Sequence, residues 1–77
     1  VYRITVNYAG GKVRYYRREE SFTRFRTKAG EIHEYNRAER IARHLLTAQA
    51  LIHSVSISEA NPNGQRWHLI DTFQRKR

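Results

Sequence analysis

Residues 2–18 read YRITVNYAGGKVRYYRR. Tyr2, Ile4, Val6 and Tyr8 alternate with Arg3, Thr5 and Asn7, the period of two that marks a half-buried strand. Gly10 and Gly11 follow, and adjacent glycines suit a tight hairpin loop because both tolerate positive φ. Val13 to Arg18 returns as a second strand. With the glycine pair as a two-residue loop, Val6 faces Tyr15, Thr5 faces Tyr16 and Arg3 faces Arg18. That register sends Tyr15 to the core and sets Arg14, Tyr16 and Arg18 on the other face. It also opposes two like charges, which is destabilising unless an anion lies between them.

The pattern continues outward from this hairpin. Phe22 to Tyr35 reads as a second hairpin, with Lys28-Ala29-Gly30 as a three-residue turn and Gly30 in its left-handed position. This register sets Arg24 opposite Glu34 and Phe25 opposite His33. Asn36 and Glu39 have the spacing of a capping box, with Asn in place of Ser or Thr. From Arg37 to about Ala50, Ala38, Ile41, Ala42, Leu45 and Ala48 recur at helical spacing. Leu51 to Ser58 reverts to a period of two, with His53, Val55 and Ile57 alternating with serines. Asn61-Pro62-Asn63-Gly64 is a turn by composition, since Pro62 presets φ and Gly64 accepts a left-handed conformation. Trp67, Leu69 and Phe73 then share one face of a last strand.

The expected class is α+β: a small antiparallel β-sheet in the order strand-strand-strand-strand-helix-strand-strand, with one amphipathic helix packed on one face. Residues 1–73 form a single basic domain and 74–77 a flexible basic tail. The expected core is Ile4, Val6, Tyr15, Phe25, Ile41, Leu45, Val55, Ile57, Trp67 and Leu69. The other sheet face is left to water or a partner.

Charge narrows the function. The 77 residues carry 15 Lys and Arg against 7 Asp and Glu, a formal +8. Twelve of the cations are arginine, whose planar guanidinium grips phosphate in two-pronged fashion and stacks on rings. A balance of this size attracts polyanions: nucleic acid, acidic protein or anionic lipid. No apolar run approaches the length of a membrane span, and the N-terminus alternates like a strand rather than a signal peptide. Cysteine is absent, which fits a reducing compartment, and the expected location is cytoplasmic.

The candidate binding residues fall in three groups. Arg3, Arg14, Tyr16, Arg18, Arg24 and Arg26 come from the first two hairpins, with Tyr16 as a stacking platform between arginines and Phe22 as a second ring. Arg37, Arg40, Arg43 and His44 lie on the polar side of the helix. Arg75, Lys76 and Arg77 make a basic arm of the kind that adds salt-dependent affinity for polyanions. Glu19 and Glu20 interrupt the basic run between the hairpins. Each group has an ordinary structural reading as well, because charge on a strand or helix surface needs no function.

The histidines raise catalysis as a separate class. His33, His44, His53 and His68, with Glu34 and Asp71, are the groups available for acid–base cleavage of RNA. The Asn61–Gly64 turn sets Asp71 opposite Val55, diagonal to His53. There is no HExxH, no paired HxH and no cysteine, so neither a metal site nor a cofactor is expected.

The leading expectation is a non-catalytic module that binds nucleic-acid phosphates, DNA or RNA, through an arginine and tyrosine surface. In general character the chain resembles small phage or mobile-element accessory proteins, anti-CRISPR proteins among them: one compact α/β domain with strongly biased charge and no cofactor motif. That resemblance implies an alternative, an inhibitor docking on an acidic or nucleic-acid-handling protein complex. A metal-independent ribonuclease is the third reading.

Overall fold

The computed structural model describes residues 1–18, 21–60 and 66–75. Five strands form one antiparallel sheet: β1 (Tyr2–Tyr8), β2 (Val13–Arg18), β3 (Ser21–Thr23), β4 (Ile52–Ala60) and β5 (Trp67–Gln74). Their order across the sheet is β3-β2-β1-β4-β5, so β1 is central and β3 and β5 are the edges. One helix, α1 (Tyr35–Ala48), packs across a single face. The class read from the sequence is the class observed, an α+β domain with a helix on one side of an antiparallel sheet. The expected turn at 61–64 and the pair Glu19-Glu20 lie outside the described residues.

The first hairpin closes differently from its expected register. The Tyr8 N–H donates to the Lys12 carbonyl at 2.8 Å and the Gly11 N–H to the Tyr8 carbonyl at 3.1 Å. The loop is therefore three residues, Ala9-Gly10-Gly11, with φ of 104° at Gly10 and 91° at Gly11. β2 moves by one residue: Thr5 pairs with Tyr15, Val6 with Arg14 and Asn7 with Val13. A one-residue slip turns every side chain of the strand to the opposite face. Tyr16 now packs on the core beside Phe22, with ring centroids 6.1 Å apart, and Tyr15 faces away from α1. The expected opposition of Val6 with Tyr15 and of Arg3 with Arg18 does not occur.

The second hairpin is also replaced. β3 ends at Thr23, whose Oγ1 accepts the Phe25 N–H, and a short 3-10 helix, Arg26–Lys28, turns the chain back. The expected fourth strand reduces to one bridge, Tyr2 with Ile32, so Arg24 does not oppose Glu34 and Phe25 is exposed rather than in the core. Gly30 is required by close approach rather than by a left-handed φ. Its N–H donates to the Tyr16 carbonyl, and a Cβ there would stand 1.8 Å from the Arg17 carbonyl oxygen.

α1 begins at Tyr35, two residues before the expected start, and no side chain caps it, so the Asn36 and Glu39 pair does not form a capping box. Two other devices hold its ends. Tyr35 packs edge-on against Tyr2 at 5.6 Å and donates its hydroxyl to Asp71 at 2.6 Å, fastening the N-terminus to β1 and β5. At the C-terminus the Arg75 guanidinium donates to the carbonyls of Leu46, Gln49 and Ile52. Leu46 and Gln49 lie at the helix end, where carbonyls lack intrahelical partners, and Ile52 opens β4, so Arg75 ties the two elements together. Structure thus continues past residue 73: Gln74 belongs to β5 and Arg75 is docked, while Lys76 and Arg77 lie outside the described residues.

The core lies between α1 and the sheet. Ile4, Val6, Ile32, Ala38, Ala42, Leu45, Ile52, Val55 and Ile57 are buried, with Ile41 and Phe73 half-buried against them. Burying a side chain such as Leu45 contributes about 1.5–3 kcal/mol relative to leaving it exposed. Ala48 is exposed, because α1 ends there. β5 carries a bulge at Ile70: Asp71 pairs with Ile57, but Leu69 pairs with Ser58. The bulge turns Asp71 and Phe73 toward α1 and leaves Trp67 and Leu69 on the far side. Two residues expected in the core thus stand on the open face, Leu69 at 65% exposure. Asp71 does not oppose Val55, and the expected approach to His53 is absent.

Candidate functional site

Arg3, Thr5, Tyr15, Ser58, Trp67 and Leu69 share the sheet face opposite α1, and Arg26 and Arg66 join them to line a groove of about 550 Å³. Strand pairing explains this group. Arg3 pairs with Ser58, Thr5 with Tyr15, and Ser58 with Leu69, so all point to one side. Thr5 and Ser58 are short and make a low polar floor, while longer side chains rise around them. Farther along β4, Ser54 accepts a hydrogen bond from Asn7, and Ser56 shares one with Thr72. The middle of this face is therefore polar and satisfied rather than an apolar patch.

Arg3 is the unusual member. Its guanidinium carbon lies 3.8 Å from the centroid of a Trp67 ring. The Arg3 Nε is buried and has no hydrogen-bond partner among the described residues. Burial, and after it the neighbouring Arg26 charge, pulls the Arg3 pKa below its ordinary value, while Glu31 and Tyr15 push it back up. A half-buried cation beside another cation, with an unpartnered N–H, is a costly arrangement unless an anion completes it. Among the described residues the groove lining holds three arginines and no carboxylate.

The other expected binding residues are dispersed. Arg18 and Arg37 line a second groove with Arg17 and His33 near the start of α1, but Glu31 and Glu34 line it too. Tyr16, expected as a stacking platform, instead helps line a small apolar groove with Arg40, Ile41, His44 and Leu45. Arg14 lies on the helix side of the sheet and donates to the Val13 carbonyl. Arg24 lies over Phe25 at 5.2 Å. Arg43 forms an ion pair with Glu39 at 3.6 Å and lies over Phe73 at 4.8 Å. Arg75 serves the helix end, and Lys76 and Arg77 lie outside the described residues.

Only Arg3 and Arg26 of the expected set meet in the open-face groove. Tyr15, Arg66 and Trp67 were assigned to the core or passed over. The serine alternation Ser54, Ser56, Ser58 marks the polar face of β4, but which residues of β2 and β5 share that face depends on their registers.

The acid–base candidates are spread over the fold: His33 and Glu34 line the groove near the start of α1, and His44 lines the apolar groove beside Tyr16. His33, His53 and His68 are exposed on separate segments, and Asp71 accepts from the Tyr35 hydroxyl and the Thr72 N–H. The hydrogen bond to Asp71, and secondly burial, pushes the Tyr35 hydroxyl up to about 12. Among the described residues no group of three or more His, Cys, Asp or Glu side chains is placed to hold a metal ion. Nor is any described helix long and apolar enough to cross a membrane.

The geometry must speak for itself, since no family model, curated protein or solved structure matches the chain.

Proposed function

We propose that this domain is a non-catalytic nucleic-acid-binding module and that it binds through the open sheet face. The observation that carries the reading is Arg3. Its guanidinium lies over Trp67, its Nε is buried with no partner among the described residues, and Arg26 and Arg66 line the same groove, in which no described carboxylate stands. Phosphate supplies the missing counter-charge, and arginine is the side chain best shaped to receive it. Tyr15 and Trp67 stand beside these cations, and rings beside guanidinium groups suit a ligand that alternates phosphate with flat bases. The net charge of +8 favours such a polyanion at a distance. A cytoplasmic setting belongs to the same reading and rests on the lack of cysteine.

The test is binding of nucleic acid to the purified domain at increasing salt. Affinity falls steeply as salt rises, because neutralised phosphates release counterions. Absence of binding at low salt rejects the proposal. The same arginines suit the rival reading, an inhibitor of phage type docked on an acidic protein. A stoichiometric protein complex captured from native lysate, intact after nuclease treatment, favours that rival.

A further inference from the structure

Resting on the nucleic-acid reading above, we infer that the ligand of the open face is single-stranded. The strand lies across β2, β1, β4 and β5, its bases stacked on Tyr15 and on the Arg3–Trp67 pair and its phosphates held by Arg3, Arg26 and Arg66. The shape of the face supplies the first argument. At the usual strand spacing a five-stranded sheet is about 19 Å across, wider than the roughly 12 Å major groove of B-form DNA. The flat face does not fit that groove in an undeformed duplex, so against such a duplex it reaches chiefly the outer phosphates. Its rings then meet no base.

The placement of the rings supplies the second argument. Tyr15 on β2 and Trp67 on β5 are three strands apart, about 14 Å across the sheet at the usual spacing, and are offset along it, Tyr15 lying level with Ser56 and Trp67 with Ala60. Between them lie Thr5 and Ser58, short side chains that leave room above the sheet. A flexible single strand can present unpaired bases at both rings while its backbone follows the arginines. Arginine serves both parts at once, because stacking uses the plane of the guanidinium and hydrogen bonding uses its edge.

Trp67 is the only tryptophan in the chain, so its emission reports directly on the site. The experiment titrates the domain with an oligothymidylate single strand and with a duplex of the same length, at low and at moderate salt. The single strand quenches Trp67 and binds more tightly than the duplex. Tyr15→Leu weakens single-strand binding by roughly 5- to 150-fold, the loss of one base stack, and leaves the salt slope unchanged. Tyr15→Phe keeps the ring and keeps the affinity, which guards against misreading a Tyr15→Leu variant that fails to fold. Equal binding of both ligands with unaltered Trp67 emission overturns the single-strand inference but leaves nucleic-acid binding standing. No binding of either ligand overturns both.

Discussion

Replacing Arg3 by methionine separates what the site costs from what it does. Methionine keeps an unbranched chain of similar reach and removes the charge and the donors. A buried donor left unsatisfied costs about 1–3 kcal/mol. The stack on Trp67 offsets part of that, at about 0.5–2 kcal/mol. Methionine regains about 0.3–1.5 kcal/mol through contact between sulfur and ring. The central values leave Arg3→Met about 1–2 kcal/mol more stable than the parent, with the relieved repulsion from Arg26 set against the lost attraction of Glu31. For a domain of this size each kcal/mol is about 4–8 °C in Tm, which thermal unfolding followed by circular dichroism resolves. Binding moves the other way. Losing one phosphate contact shrinks the slope of log affinity against log salt by about 0.7–0.9. Arg3→Lys keeps the charge and the salt slope but weakens binding, since lysine neither stacks as a plane nor binds in two-pronged fashion. A variant with lower Tm and an unchanged salt slope refutes the reasoning: Arg3 would then be a structural partner of Trp67 and no ligand contact.

Two further outcomes probe the frame around the site. Arg75→Ala frees the carbonyls of Leu46, Gln49 and Ile52 and lowers stability by about 1–3 kcal/mol in a denaturant titration, while the salt slope of nucleic-acid binding stays as it was. Tyr35→Phe removes an alkaline transition. The Tyr35 pKa is about 12 in the folded chain against 10.0 for the free side chain, so its stabilising contribution is complete below about pH 10 and is lost as pH rises through 12. The parent should therefore lose stability across that window faster than Tyr35→Phe, and parallel pH profiles would remove Tyr35 from the account.

The elements were legible to different degrees, for identifiable reasons. The helix stood out because Ala38, Ala42 and Leu45 recur at a spacing that only a helix brings onto one face, and all three are buried. Its boundary shifted because the end is held by Tyr35 and Asp71, residues 36 positions apart, rather than by a local cap. The two central strands were equally clear, since Ile4, Val6, Val55 and Ile57 alternate and are fully buried. The segment after Thr23 was not. Its residues make a 3-10 turn and one bridge, and neither leaves a periodic trace.

The candidate site depended on two registers, and both were decided by single residues. Whether Ala9 joins the loop chooses between Tyr15 and Tyr16 for the open face. Whether Ile70 bulges decides which side of β5 carries Trp67 and Leu69 and which carries Asp71 and Phe73. Neighbouring aromatic residues in RYYRR satisfy either register locally, so the choice falls to packing across the whole sheet.

By itself, then, the sequence determined the α+β class, the helix and its buried stripe, the inner strands, and the excess of arginine that points toward a polyanion. These follow from periodicity and composition, which are local. The tertiary structure alone decided which arginines lie together. Arg3, Arg26 and Arg66 come from the first strand, a short turn and the approach to the last strand, and they meet only because β1 and β4 pair at the centre of the sheet. Face is a property of register, and register is settled by contacts between residues far apart in the chain.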